Sequence, residues 1–247
     1  MTEWVEATVV ERRDWNDELI SLRFDAPLEP FKAGQFIRVG LDIEGERVGR
    51  PYSLVNAPHE DRHEIYFNIV EEGPLSPRLA RLQPGDRFWA VPKPSGFLTL
   101  DEVPEARHLW LLATGTALGP FLSILKSPAA WERFETIVLG HSVRRKSELA
   151  YQDCIQELLD AHGDQLCFVP FITREPCGDN LGQRIPACIE SGSLEEKTGL
   201  ELSPRDSHVL LCGNSAMLQD TLSVLEKRGL KRHRRREPGH VGMEKYH

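Results

Sequence analysis

The chain has 247 residues, 40% hydrophobic and 28% charged, with a formal charge of −8. At roughly 100–200 residues per domain, that length allows one large domain or two modest ones. The acidic balance argues against nucleic acid as the main partner, and no stretch approaches the ~20 apolar residues of a membrane span.

The first hundred or so residues read as strands separated by turns. Residues 4–13 alternate apolar and polar side chains, and 18–24 follow after the turn-like Asp14-Trp15-Asn16-Asp17. Further runs cover 35–43, 50–55, 63–70 and 87–92, punctuated by Gly34, Gly45, Gly49, Gly73 and Gly85. Short strands at close spacing predict an antiparallel barrel or sandwich. A short helix interrupts them at Gly73-Pro74-Leu75-Ser76-Pro77-Arg78, with Ser76 suited to the N-cap and Pro77 to the first helical position. Its free N–H groups would suit a pyrophosphate.

Beyond Pro94-Ser95-Gly96 the period changes. Apolar runs at 108–113, 136–140, 166–172 and 208–212 each precede a helical stretch. Strands alternating with helices imply a parallel α/β sheet. The expected division is therefore a β-barrel over 1–97 and an α/β domain over 98–247. The five cysteines, at 154, 167, 177, 188 and 212, contain no Cys-x-x-Cys pair. That fits a reducing compartment and gives no sign of a disulfide framework, zinc site or iron–sulfur cluster. The start, Met1-Thr2-Glu3-Trp4-Val5-Glu6, has no basic or apolar leader, so a cytoplasmic protein is expected.

Four stretches could carry chemistry. In Arg50-Pro51-Tyr52-Ser53, an arginine fork suited to phosphate sits beside a flat aromatic face and a small hydroxyl. In Ala113-Thr114-Gly115-Thr116-Ala117-Leu118-Gly119, a strand gives way to a helix, the place where open α/β sheets bind ligands. Gly115 and Gly119 would let the backbone approach a phosphate, although the spacing departs from Gly-x-Gly-x-x-Gly. The second strand of that domain leads into Val143-Arg144-Arg145-Lys146, the third into Thr173-Arg174, and Arg184 follows. Cations at strand ends suit the 2′-phosphate of NADP, where NAD would call for an acidic residue. Cys212-Gly213-Asn214 ends the last apolar run, and a cysteine there is either a buried apolar group or part of a ligand crevice. The segment 227–236 holds seven Lys or Arg residues, either a solvated face or a docking patch.

Taken in order, these motifs resemble the ferredoxin/flavodoxin–NADP(H) reductase family of bacterial type. The resemblance spans the chain, from Ala33-Gly34-Gln35-Phe36 through Leu75-Ser76-Pro77-Arg78-Leu79 and Gly182-Gln183-Arg184-Ile185-Pro186 to Glu244-Lys245-Tyr246. It implies a FAD-binding six-stranded barrel, an NADP-binding α/β domain and electron exchange with ferredoxin or flavodoxin by a monomer. It implies that Arg50 holds the FAD pyrophosphate, that Pro51 and Tyr52 lie at the flavin, and that Ser53 reaches its N5 region. Phe67, Asn68, Ile69, Pro74, Leu75, Ser76 and Thr116 would line FAD. Gly115, Gly119, Val143, Arg144, Thr173, Arg174, Arg184 and Gly213 would serve NADP(H). Ser53, Cys212 and Glu244 would surround the reacting atoms. Similar chains end in an aromatic residue packed on the adenine, where this one has Tyr246-His247, and an imidazole covers less area. Two other classes fit some of the same features: an electron-transfer subunit of a larger complex, which commonly adds a cysteine cluster, and a nucleotide or nucleic-acid binder using the basic segment.

Overall fold

The computed structural model describes residues 3–246. Strands β1 (Val5–Asp14), β2 (Leu19–Asp25), β3 (Phe36–Ile43), β4 (Glu46–Ser53), β5 (His63–Asn68) and β6 (Arg87–Ala90) form one antiparallel sheet in the order β4-β3-β6-β1-β2-β5. The sheet closes into a barrel where Leu54 bridges Ile65 and the Val55 N–H donates to the Glu64 carbonyl. Its inside is an apolar core that includes Val9, Leu22, Phe24, Ile37, Val39, Leu54, Ile65 and Phe88. The six expected runs are all strands, with one shift. β4 begins at Glu46, well before residue 50, because Glu44 and Gly45 make a two-residue turn with φ of 53° and 85°. Positive φ at both central positions matches the twist of the flanking strands. Gly49 therefore lies inside the strand, where a side chain would strike the Trp4 ring at 2.5 Å.

The second sheet is parallel and five-stranded, in the order β11-β10-β7-β8-β9. Its strands are β7 (His108–Thr114), β8 (Thr136–Val143), β9 (Leu166–Ile172), β10 (Ser207–Gly213) and β11 (Val241–Lys245). The first four match the apolar runs in the sequence; β11 does not, and it recruits the end of the chain into the sheet. Side chains of a strand alternate between faces. Leu109, Leu111 and Ala113 accordingly face a core with helices α2 (Gly119–Leu125), α3 (Pro128–Arg133) and α4 (Gln152–His162). Trp110 and Leu112 face the other, with α5 (Ile185–Ser191), α6 (Ser193–Thr198) and α7 (Ser215–Lys227). Burying each of these leucines contributes about 1.5–3 kcal/mol. Trp110 also donates its indole N–H to Ser207 Oγ at 3.1 Å, so its one polar atom is satisfied in the interior.

The barrel docks on the first of these faces. Leu19, Val55, Tyr66, Leu98 and Leu100 share a core cluster with Leu109, Phe121, Leu122 and Tyr151, so the contact between the halves is itself apolar core. The chain runs β7-β8-β9 to one side and returns to place β10 and β11 on the other. That reversal puts a crevice at the C-terminal ends of β7 and β10, the usual ligand position in such sheets. Among the described residues, no helix is long and apolar enough to cross a membrane.

Candidate active site

A cavity of about 300 Å³ opens where the barrel meets the C-terminal ends of the parallel strands. The barrel supplies Phe36, Arg50, Pro51, Tyr52, Ser53, Phe67, Asn68 and Leu75; the second half supplies Thr116, Glu244, Lys245 and Tyr246. Tyr52 is 9% exposed and meets Phe67 edge-on at 5.7 Å. Burial pushes its hydroxyl up to about 12, slightly offset by neighbouring Arg50. The exposed Arg50 uses one guanidinium N–H on the Gly49 carbonyl at 3.0 Å and keeps the rest of its fork at the cavity lip. Ser53 is buried and stands opposite Phe36 in the β3–β4 register.

Helix α1 (Ser76–Leu79) differs from expectation. It is a single turn, Leu75 holds the N-cap position in a helical conformation, and no side chain caps it. The Ser76 hydroxyl instead accepts the Val70 N–H at 2.9 Å, which ties the 70–76 loop closed. Pro77, in this first turn, brings no N–H of its own, so the start offers fewer donors than a regular helix end. Pro74, Leu75 and Ser76 thus serve as cavity wall. Ile69 lies off the cavity and packs on the barrel core, and Val70 takes its place in the lining.

Glu244 reaches the cavity from β11, and Cys212 stands opposite it in β10. Burial raises the Glu244 carboxyl to about 7. Its Oε2 lies beside Gly96, where an added methyl would sit 3.1 Å away. Cys212 is fully buried and absent from the cavity lining. Burial, then the Glu244 carboxylate, pushes its thiol well above the ordinary range, so it stays protonated. Tyr246 donates its backbone N–H to the Gly213 carbonyl at 2.8 Å. Burial raises its hydroxyl and Ser53 tempers the shift, yet that hydroxyl makes no hydrogen bond of acceptable geometry among the described residues. His247, expected on an adenine, lies outside the described residues.

The sheet end beside this cavity is tightly built. A methyl on Gly213 would lie 2.3 Å from Thr114 Oγ1, so only glycine lets β10 and β7 end side by side. Gly115 has φ of +54°, open space around it and a carbonyl that accepts from His141 Nε2 at 2.9 Å. Burial lowers His141 to about 4, keeping it a neutral donor at Nε2. Gly119 opens α2 against Val55. Neither Gly115, Gly119 nor Gly213 lines the cavity; they shape the turn beside it.

The second cluster forms at the ends of β8 and β9. The N–H and hydroxyl of Thr173 both donate to the Val143 carbonyl, and the Arg174 N–H donates to the Arg144 carbonyl at 2.9 Å. Arg144, Arg174 and Arg184 are exposed, the last just before α5. Acidic residues are present here after all. The Glu148 carboxylate accepts the Arg144 N–H at 3.1 Å, and that of Glu175 accepts the Lys146 N–H at 2.6 Å. Both bond backbone, so they shape the loop while the guanidinium groups face solvent.

The basic segment is not one patch. Lys227 pairs with Glu190, and Arg228 reaches Glu195 at 2.6 Å and the Ile189 carbonyl. Both brace helices. Arg234 pairs with Glu237, while Arg235 pairs with Glu102 and lies 4.6 Å over the Phe97 ring. Reading the sequence did not assign Phe36, Val70, Gly73 or Lys245 to the cavity. Phe36 belonged to a quoted motif, but nothing local marks which way a strand residue points.

An apolar cavity with one arginine at its lip suits a flat ring carrying a phosphate tail, and the Tyr246 hydroxyl, without a well-aligned partner among the described residues, offers a donor beside it. Together with a parallel sheet whose crevice opens onto the same cavity, these features define a two-domain flavin and nicotinamide-nucleotide oxidoreductase. The family model of the oxidoreductase FAD-binding domain matches residues 6–98, and that of the oxidoreductase NAD-binding domain matches 111–223. A flavodoxin/ferredoxin–NADP reductase of Escherichia coli is 47% identical over 221 residues, 90% of this chain and 89% of that one. A ferredoxin–NADP reductase of Pseudomonas aeruginosa is 39% identical over 96% of this chain and 95% of its own. The crystal structure of a ferredoxin NADP+ reductase from Neisseria gonorrhoeae, with bound FAD and NADP, superposes with a TM-score of 0.93. It is 32% identical and covers 99% of both chains. The chain belongs to the flavodoxin/ferredoxin–NADP reductase family.

Proposed function

We propose that the chain moves electrons between NADPH and a ferredoxin or flavodoxin through FAD held in the barrel cavity. The observation that carries this reading is the shared cavity: Tyr52 and Ser53 of the barrel and Glu244 of the parallel sheet line one space. Two ring systems bound from the two halves would meet there. FAD, when bound, supplies the conversion between two-electron and one-electron transfer.

The protein's part is to hold, orient and exclude. Arg50 would hold the pyrophosphate, Tyr52 would lie on the ring, and Ser53 would present its hydroxyl to the N5 edge. Phe67, Asn68, Pro74, Leu75 and Ser76 would wall the group in, with Ile69 backing them, and Tyr246 would keep water off one side. Arg144, Thr173, Arg174 and Arg184 would hold the 2′-phosphate, with Val143 and the Gly115, Gly119 and Gly213 turns shaping the bed. Glu244 can hold or release a proton at its carboxyl near neutral pH. Cys212, sealed behind it, would act by packing and not as a thiolate.

Among the described residues, the exposed large apolar side chains are Val70 and Phe97, 48% and 63% exposed. Val70 lines the cavity, and Phe97 follows Gly96, where an added methyl would meet both Phe36 and Glu244. An apolar rim with Arg235 lying over the Phe97 ring, and Arg234 and Arg236 next to it in the chain, suits an acidic electron carrier arriving at the flavin edge. The working division is 1–97 for FAD and 98–247 for NADP, in a cytoplasmic monomer that binds no nucleic acid. Anaerobic titration with NADPH and separately with NADH, followed by addition of candidate carriers, tests the reading. Bleaching of the flavin by NADPH and reoxidation by the carrier is expected; a colourless purified protein would end it.

A further inference from the structure

Tyr151 is the residue whose conformation most needs an explanation. It stands at the start of α4 with φ of 59° and ψ of 25°, a left-handed conformation. Such values are uncommon for bulky residues and a genuine outlier for an aromatic one. An N-cap normally takes extended backbone and caps with its side chain; Tyr151 does neither. Backbone strain of this kind persists only where the surroundings over-determine it, and it gathers at functional sites.

The surroundings here belong to the other half of the molecule. Tyr151 is 5% exposed. Its hydroxyl donates to Glu64 Oε1 at 2.5 Å, and Glu64, on β5, is itself 6% exposed. The ring lies 4.3 Å from Trp15 and meets Tyr66 edge-on at 5.2 Å. Four residues earlier, the Ser147 carbonyl accepts from the Asn16 amide at 2.9 Å. The barrel thus grips the segment 147–151 through Trp15, Asn16, Glu64 and Tyr66.

That segment leads directly to Arg144. The Glu148 carboxylate holds the Arg144 N–H, and the Ala150 N–H bonds back to the Glu148 carbonyl. The other end of the loop is fixed by the β8–β9 register, where Arg174 bonds the Arg144 carbonyl. Displacing Tyr151 would therefore draw the Glu148 carboxylate off the Arg144 N–H and let the Arg144 side chain reorient, while the Arg144 carbonyl stays bonded to Arg174 at the β8 and β9 ends.

We propose that Tyr151, pinned by Glu64 across the contact between the halves, is a positioning residue that sets Arg144 for the nucleotide phosphate. The barrel strand that walls the flavin cavity, through Phe67 and Asn68, is the strand that holds the pin. One structural element thus aligns both ligands. The inference rests on the assignment of Arg144 to the 2′-phosphate.

The test uses the flavin-loaded enzyme with a small acceptor, comparing NADPH with NADH. Tyr151→Phe removes one hydrogen bond and keeps the ring. It should raise KM for NADPH about three- to tenfold, with kcat and both NADH constants within about twofold. Binding of adenosine 2′-phosphate, read by calorimetry, should weaken by the same factor. Glu64→Gln keeps an acceptor oxygen for the Tyr151 hydroxyl and should stay near the wild type, whereas Glu64→Leu should match Tyr151→Phe. Equal losses with NADPH and NADH, or an unchanged ratio, would reduce Tyr151 to a packing residue. Arg144→Ala separates the two levels. If it leaves the NADPH/NADH ratio unchanged, the phosphate assignment fails; if it changes the ratio and Tyr151→Phe does not, the pin alone fails.

Discussion

Cys212 and Glu244 stand opposite each other in neighbouring parallel strands, one sealed in the sheet and the other reaching the cavity. The pairing makes the thiol a spacer behind the carboxylate. Cys212→Ala should therefore slow reduction of the flavin by NADPH while changing NADPH binding little. Stopped-flow rates equal to the wild type would leave Cys212 an ordinary core residue.

The Glu244 carboxyl gives a signed pH dependence. Folding raises it from 4.5 to about 7. Between those values the folded protein keeps a proton that the unfolded chain has released. Stability from this group is full below about pH 4.5, falls as pH rises and is gone above about pH 7, a change on the order of 3 kcal/mol. Glu244→Gln should remove that fall. Buried His141 and His208 have lowered values and act in the opposite direction over part of the range. The readout is therefore the difference between variant and wild type in urea unfolding at pH 5 and pH 8. Parallel curves for the two proteins would refute the assignment.

Arg50→Ala should weaken FAD retention about 10- to 100-fold, since a charge-assisted contact contributes roughly 1.5–3 kcal/mol. The absorbance ratio of flavin to protein after dialysis measures it. Full occupancy in the variant would remove Arg50 from the pyrophosphate.

Changing Arg144 and Arg174 together to Ala should raise KM for NADPH by at least about tenfold and spare NADH, because each guanidinium would meet only the 2′-phosphate. Initial rates with the two nucleotides decide it. A matched loss would point to a role in shaping the loop.

Neutralising Arg234, Arg235 and Arg236 should slow reduction of a protein carrier most at low salt, where the Debye length is longest, about 30 Å at 0.01 M. Reduction of a small neutral acceptor should be spared. Loss of both activities would mean that the Arg235 contacts with Glu102 and Phe97 are structural.

Local chemistry made much of this protein legible in its sequence. Alternation over β1, short turn-bounded runs at β2–β6 and apolar runs at β7–β10 mark the strands, so both sheets could be read from the pattern. Arg50, Tyr52 and Ser53 could be read as a ligand set because their side-chain types suit phosphate, ring and polar edge. Strand β11 was not legible, because a single edge strand of five residues, Val-Gly-Met-Glu-Lys, carries no strong period of its own; pairing with β10 creates it. Ser76 looked like a cap, but its hydroxyl was claimed by Val70, a loop contact that propensity does not encode. The tertiary structure alone decided that Glu244 enters the barrel's cavity and Cys212 does not. Two residues in register on adjacent strands can differ wholly in exposure, because exposure depends on what packs over each face. The same holds for Tyr151 and Glu64, 87 residues apart in the chain: the sequence specifies both side chains, and only the docking of one domain on the other makes them a pair.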